Sequence, residues 1–202
     1  MADRLTCRRG EHLVFADLSF ELTSGSGLAL IGPNGVGKTS LLRILAGLLR
    51  PCSGILAWEP QNDVPLAEWS HFIGVRDGLK DSLTPAEHVA FWIGLGDSRR
   101  SPNPGAVLEA HGLAKLALTP AGWLSTGQRR RLTLARLTAT SRPAWLLDEP
   151  LNGLDLEAQT TLRRLAAAHL AAGGLIVAAS HQPLGWDGLA TLDLGRISGA
   201  GV

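Results

Sequence analysis

The sequence predicts an α/β fold with three parts: a parallel or mixed sheet core, an antiparallel β part at the N-terminus, and an inserted helical lobe. Short apolar runs, GLALIG, AWLLDEP and LIVAAS, are typical of strands buried on both faces. They alternate with segments of helical spacing, which favours helices on both faces of a sheet. Residues 77–141 read instead as mostly helical, so we expect one domain over residues 1–202 with that lobe inserted in it.

The first sixty residues predict short strands around one helix. HLVFADLSFEL alternates loosely and ends in the turn TSGSG, before the buried strand GLALIG. TSLLRILAGLL then has helical spacing, and GILAWEP is a further candidate strand. Four leucines are expected on one side of the helix: Leu41, Leu42, Leu45 and Leu48.

Helix signals dominate the middle of the chain and return near its end. Thr84 is a candidate N-cap, Pro85 suits the first helical position, and Glu87 completes a capping box. LEAQTTLRRLAAAHLAAGG predicts a helix with a glycine stop, and DLGRISGAGV is expected to form the last strand.

Net charge, cysteine spacing and the lengths of the apolar runs argue against several classes of function. The formal net charge of +1 gives no support to a nucleic-acid binder, which usually has a basic excess. Cys7 and Cys52 fit no zinc or redox spacing, so two separate thiols are expected. No apolar run approaches a membrane span or a signal peptide, so we expect a protein that stays on the cytosolic side and can still have a membrane partner.

A glycine-rich loop carries the strongest signal. Gly32, Gly37, Lys38 and Thr39 match G-x-x-x-x-G-K-[ST], between a predicted strand and a predicted helix. Glycines let the backbone wrap around phosphate, the lysine reaches the β and γ phosphates, and the threonine hydroxyl holds Mg²⁺. The fold is therefore expected to be a P-loop NTPase. Its expected phosphate-binding residues are Gly32, Pro33, Asn34, Gly35, Val36, Gly37, Lys38, Thr39 and Ser40.

Polar side chains end two other predicted strands. Asp148 and Glu149 follow one of them, and strand ends meet at the ligand edge of an open α/β sheet. Asp148 is then a candidate Mg²⁺ ligand, and Glu149 a candidate for polarising the attacking water. His181 ends the next apolar run and is a candidate γ-phosphate contact. Each alone would more often be a turn or capping residue.

A second loop, LSTGQ at residues 124–128, reads as a helix start, which favours a bound anion. Together with GKT, DEP, LNGLD and SH in this order, it resembles the nucleotide-binding subunits of ATP-binding cassette (ABC) transporters. The resemblance implies two copies closed head-to-tail around two ATP molecules. Expected contacts to the partner's ATP are Ser125, Gly127 and Gln128; Asp155 would cross between the chains, and His181 would be the switch histidine.

Departures from that family pattern involve single positions. Thr126 stands where the family has glycine, so its backbone is expected to be ordinary. No tyrosine is present, and Arg9 is the candidate to stack on the adenine. The family has a glutamine between its two lobes that contacts Mg²⁺, and this chain has Arg76 near that position. The identity of one Mg²⁺ ligand is therefore left open. The run Arg129–Arg131 is interpreted as a solvated helix face.

Within the family, several stretches look like the ATP-binding subunits of bacterial cytochrome c maturation, also described as haem exporter subunits; PAGWLSTGQRRRLTLARL and RPAWLLDEP are two of them. This implies a peripheral protein at the cytoplasmic face of the bacterial inner membrane, joined to integral membrane subunits. Two alternatives stay open: the ATPase of another small exporter, and a soluble ABC-type ATPase.

Overall fold

The computed structural model describes residues 1–58, 66–96 and 102–198. The chain divides into two compact units. The sheet unit comprises Met1–Gly74, Pro143–Pro150 and Ala166–Val202, and the helical unit comprises Val75–Arg142 and Leu151–Leu165.

The sheet unit contains an antiparallel sheet of three strands in the order β2-β1-β4. Its strands are β1 (Ala2–Arg9), β2 (His12–Phe20) and β4 (Ser53–Leu56). β1 and β2 form a hairpin in which Arg9 is opposite His12. GILAWEP thus contributes its first residues to this sheet, while Glu59 and Pro60 lie outside the described residues.

A second sheet of five parallel strands has the order β5-β6-β7-β3-β8. The strands are β3 (Gly27–Ile31), β5 (Ser70–Ile73), β6 (Ala144–Asp148), β7 (Leu175–Ala179) and β8 (Leu189–Asp193). Ala179 is in register with Leu30 on one side and with Asp148 on the other. Three strands therefore end at one edge of the sheet, where the loops that follow them meet.

Helix α1 (Lys38–Leu45) fills the space between the two sheets. Leu41, Leu42 and Leu45 are buried against Phe15 of the antiparallel sheet and Leu146 of the parallel one. Burying a side chain of this size contributes about 1.5–3 kcal/mol. This core fixes the start of α1 relative to the strand that precedes it.

The helical unit has its own core around Val89, Leu113 and Leu132. Its helices are α3 (Pro85–Gly94), α4 (Pro104–Ala110) and α5 (Thr126–Ala139), with short 3-10 turns at Ala114–Leu116 and Ala121–Trp123. The predicted start of α3 is confirmed. Thr84 is its N-cap, Pro85 opens the helix, and Glu87 and Thr84 form the reciprocal capping box.

Three further helices complete the described chain. They are α2 (Leu66–Trp69), α6 (Leu156–Ala171) and α7 (Leu194–Ser198). α6 begins in the helical unit and ends in the sheet unit. None of the helices in the described ranges combines the length and the apolar character needed to cross a membrane.

The predicted fold class is confirmed, and two local predictions are wrong. Leu48 is 61% exposed, because α1 ends at Leu45 and Gly47 takes a left-handed conformation that turns the chain away. The last strand of the described residues is Leu189–Asp193 rather than DLGRISGAGV: Asp193 ends that strand, Leu194–Ser198 forms α7, and residues 199–202 lie outside the described residues.

Candidate functional site

The loop between β3 and α1 depends on glycine at fixed positions. Gly32, Gly35 and Gly37 have φ of 132°, 83° and 110°, which only glycine adopts readily. A Cβ on Gly37 would overlap the Val14 side chain and lie 3.2 Å from a ring carbon of Phe15. The loop therefore lies tight against β2, with its backbone wrapped around the start of α1.

Lys38 opens α1, and its ammonium lies inside the loop. Its Nζ donates to the carbonyl oxygens of Gly32 at 2.7 Å and Pro33 at 3.1 Å, and the side chain is buried. The ammonium thus lies within the loop, beside the N–H groups at the start of α1. An anion bound in the loop would contact both the ammonium and these N–H groups.

Thr39, the next residue, contacts the end of β6. Its Oγ1 donates to Oδ2 of Asp148 at 2.7 Å, and Asp148 is buried. The two residues are 109 positions apart in the chain. They meet because β3 and β6 flank β7 and end at the same edge. A hydroxyl and a carboxylate oxygen so close together are the kind of ligands that Mg²⁺ prefers.

Glu149 occupies an unusual backbone conformation. Its φ is 49°, in the left-handed region that non-glycine residues rarely adopt, and its N–H donates to Ala179 O at 2.9 Å. Its Oε2 lies 2.8 Å from Nδ1 of His181. The other ring nitrogen of His181, Nε2, lies 3.2 Å from the side-chain nitrogen Nε2 of Gln182. The carboxylate and the imidazole are therefore oriented by each other.

The structure thus brings the predicted loop residues and strand-end residues of the sheet unit to one edge. Gln182 is a member of this group that the sequence analysis did not identify. Its position directly after His181 was the available signal. Arg9 is exposed at the tip of the β1–β2 hairpin.

The second predicted loop lies in the helical unit and starts α5. Ser125 is the N-cap, with its Oγ accepting from the Gln128 N–H at 3.3 Å, and Gln128 Oε1 accepts from the Ser125 N–H at 2.8 Å. Thr126 is the first residue of α5 and has no positive φ, so the expectation of an ordinary backbone there is confirmed.

The segment LNGLD lies against this helix start. A Cβ on Gly127 would be 3.0 Å from the Gly153 carbonyl oxygen, so the two segments touch where Gly127 has no side chain. Asp155 is exposed, and its Oδ1 accepts from the Ala158 N–H at 2.8 Å, which caps α6.

The arginine run is not a solvated face, so that interpretation is wrong. Arg130 is buried, and Arg129 donates through Nε to Asp77 at 2.6 Å and through Nη1 to Asp81 at 2.7 Å. Its Nη1 also donates to the Ala121 carbonyl oxygen at 2.8 Å. The hydrogen bond from Arg129 holds the pKa of Asp77 below its ordinary value. Helical periodicity could not predict the acidic partners of Arg129, because they lie about fifty residues away in the chain. Arg76, beside Asp77, is exposed.

Comparison with known proteins agrees with this geometry. The model of the ABC transporter family matches residues 15–152. A protein of Rhodopseudomonas palustris (strain BisB5) named cytochrome c biogenesis ATP-binding export protein CcmA is 50% identical over 182 residues, which cover 90% of each chain. The protein of that name from Rhizobium meliloti (strain 1021) is 47% identical over 199 residues, 96% of each chain.

Solved structures show the same fold. An ABC transporter ATP-binding protein from Pyrococcus furiosus has a TM-score of 0.80 at 20% identity, covering 98% of both chains. An ATP-binding subunit of an ABC transporter has a TM-score of 0.81 at 24% identity, covering 96% of this chain and 85% of that one. With the family match and the curated relatives, these findings place the chain: it belongs to the ABC transporter family as an ATP-binding subunit with ATPase activity, within the group that the CcmA proteins form.

Proposed function

We propose that this chain is the ATP-hydrolysing subunit of a membrane ABC complex that serves cytochrome c biogenesis. One observation carries the ATPase part: the phosphate-loop lysine and two hydrogen-bonded pairs, Thr39 with Asp148 and Glu149 with His181, lie around one edge of the parallel sheet. The assignment to cytochrome c biogenesis is supported by curated relatives about half identical over nine-tenths of the chain.

In this proposal the residues 32–40 loop binds the triphosphate of ATP. Lys38 exchanges the carbonyls of Gly32 and Pro33 for the β and γ phosphates. Thr39 and Asp148 would hold Mg²⁺, because their oxygens already converge. The ion would neutralise charge on the phosphates.

Glu149 is proposed to polarise the attacking water. A positioned base contributes about 10²–10⁴-fold in rate. His181 fixes the carboxylate through the 2.8 Å contact and faces the γ-phosphate from the next strand end. The left-handed backbone of Glu149 supports this role, since strained conformations cluster at functional sites.

The start of α5 is proposed to bind the ATP held by a second copy. Ser125 is exposed at the helix start, where its hydroxyl and the N–H of Gly127 are proposed to meet the γ-phosphate. Gln128 and Asp155 are proposed to lie in the same interface, and Arg9 to stack on the adenine. In this arrangement each ATP is bound by both chains, and hydrolysis opens the pair.

The surroundings of the complex are part of the proposal. The chain is proposed to be a single nucleotide-binding domain, with the helical lobe inserted in the P-loop core. It would lie at the cytoplasmic face of the bacterial inner membrane, as a peripheral protein bound to integral membrane subunits, and no nucleic-acid partner is expected.

Partner capture tests the proposal. The Glu149→Gln variant is trapped with ATP in native membranes and purified, and the proteins that accompany it are identified by mass spectrometry. Its control is Glu149→Gln with Lys38→Met, which is expected to bind ATP about 10–100-fold more weakly and so to trap far fewer partners. Recovery of haem-handling membrane subunits supports the assignment. An unrelated permease would leave an ABC ATPase of another exporter. Absence of any membrane partner, together with hydrolysis by the parent protein that nucleic acid stimulates, would favour a soluble ABC-type ATPase.

The ATP-bridged pair has its own test. Ser125→Ala is expected to weaken ATP-dependent pairing, measured by sedimentation, and to leave ATP binding by the single chain nearly intact. Thr84→Ala is the matched control, because Thr84 caps α3 with the same capping box, within the same unit. Equal loss of pairing in both variants would reduce Ser125 to a helix cap.

A further inference from the structure

Trp123 is the most exposed tryptophan among the described residues, with 81% of its surface accessible. Tryptophan carries a large apolar ring that is highly buried on average. The residue ends the 3-10 turn Ala121–Trp123 and stands two positions before Ser125. The exposed indole is thus available for contact with a ligand or a partner beside the start of α5.

The backbone beneath the ring is firmly held. The N–H groups of Ala121, Gly122 and Trp123 donate to the carbonyl oxygens of Leu83 at 2.8 Å, Asp81 at 3.0 Å and Pro120 at 2.9 Å. The Ala121 carbonyl oxygen in turn accepts from Arg129. The next residue, Leu124, is buried, whereas Ser125 is exposed again. The turn therefore presents Trp123 and the Ser125 hydroxyl outside the core on a fixed backbone.

Among the described residues, the hairpin tip that would meet the adenine from the other side presents no exposed tryptophan, tyrosine or phenylalanine. The tip of the β1–β2 hairpin presents Arg9, with His12 opposite, and the hairpin's Phe15 is buried in the core. A guanidinium contributes one stacking face for a base. A purine has two faces, so the second is open to an aromatic group from elsewhere.

We propose that Trp123 stacks on the adenine of the ATP held by the second copy's phosphate loop. The inference rests on the ATP-bridged pair proposed above. Two residues span at most about 7 Å of chain, so with Ser125 at the γ-phosphate the indole reaches along the same nucleotide. The ring then gives the pair a contact to the base, in addition to contacts to the phosphates.

The test uses Glu149→Gln protein with ATP and measures pairing by sedimentation. Trp123→Ala is expected to raise the ATP concentration for half-maximal pairing about ten-fold, from the usual contribution of one base–aromatic stack. Trp123→Phe keeps a ring and should recover most of the loss. Leu118→Ala is the matched control, because Leu118 is 83% exposed in the same unit and only five residues away.

A second readout reports the stack itself. Ethenoadenosine triphosphate is bound until pairing is complete, and its base fluorescence is recorded. Stacking on the indole should quench the emission in the parent protein, and Trp123→Ala should abolish that quenching at full pairing. Equal quenching in both proteins overturns the inference.

Other outcomes separate this inference from the proposed function. If the parent does not pair with ATP, the ATP-bridged pair fails and the stack fails with it. If Trp123→Ala pairs as the parent does, the stack alone is overturned. If the variant pairs normally and loses only its membrane partners, the ring contacts a membrane subunit instead, and the stack is again overturned.

Discussion

Replacing Arg129 by methionine should destabilise the helical unit. The side chain is 21% exposed and joins three segments: Asp77, Asp81 and the turn that carries Trp123. Methionine keeps an unbranched apolar chain in the helix and removes the charge and all of these hydrogen bonds. The loss of stability in Arg129→Met therefore measures mainly the contribution of the ion pairs.

The two carboxylates contribute unequally. Asp77 is 30% exposed and accepts at 2.6 Å, so a charged hydrogen bond worth about 1.5–3 kcal/mol is reduced by solvent to about 1–2 kcal/mol. Asp81 is 74% exposed and should contribute no more than about 0.5 kcal/mol. We expect Arg129→Met to lower the free energy of unfolding by about 2 kcal/mol.

Urea unfolding of the parent, Arg129→Met, Asp77→Asn, Asp81→Asn and the two double variants that combine Arg129→Met with either Asp substitution measures both couplings. The folded-state pKa of Asp77 is depressed by Arg129, so its stabilisation is fully present above the ordinary pKa of 3.8 and is lost as pH falls through the lower folded value. The loss caused by Arg129→Met should thus be equal at pH 7.5 and pH 5.5. A coupling larger for Asp81 than for Asp77, or an effect that shrinks between these pH values, would refute the reasoning.

Three further results are expected. Gly127→Ala should impair ATP-driven pairing, since a Cβ would press on the Gly153 carbonyl, while Gly94→Ala in α3 meets nothing within 4 Å and should pair normally in sedimentation. Burial, with a smaller effect of the Arg131 charge, lowers the pKa of His111 to about 4. Between pH 6.5 and pH 4 the imidazole is therefore protonated in the unfolded state and neutral in the folded state, so the free energy of unfolding should fall by about 3 kcal/mol over this range. His111→Gln should reduce this dependence of stability on pH, measured by urea unfolding. Lys38→Met should weaken ATP binding about 10–100-fold in calorimetry and keep the thermal midpoint near the parent value, and unchanged affinity would contradict its role.

Sequence patterns predicted those helices and strands whose formation depends on residues close together in the chain. The capping boxes at Thr84 and Ser125 follow from side chains that bond to their own first turn, so spacing alone predicts them. The buried strands that end at Asp148 and Ala179 follow from apolar runs that are followed by polar residues. For the same reason the strand-end residues of the candidate site were identified before any geometry was known.

Features that depend on distant partners were missed or misjudged. The environment of Arg129 is set by Asp77 and Asp81, about fifty residues away, so periodicity suggested a solvated face. Leu48 has helical spacing, but Gly47 ends the helix before it. The terminal strand was misplaced because Leu189–Asp193 pairs in parallel with β3, a partner far away in the chain.

The left-handed backbone at Glu149 has a consequence for the evolvability of this protein. A non-glycine residue at φ 49° costs about 1–3 kcal/mol, which glycine or asparagine would largely relieve. A library selected for heat resistance alone should therefore be enriched for exchanges at position 149, and the enriched proteins should be inactive. Persistence of glutamate at this position would then reflect selection on turnover at a cost in stability.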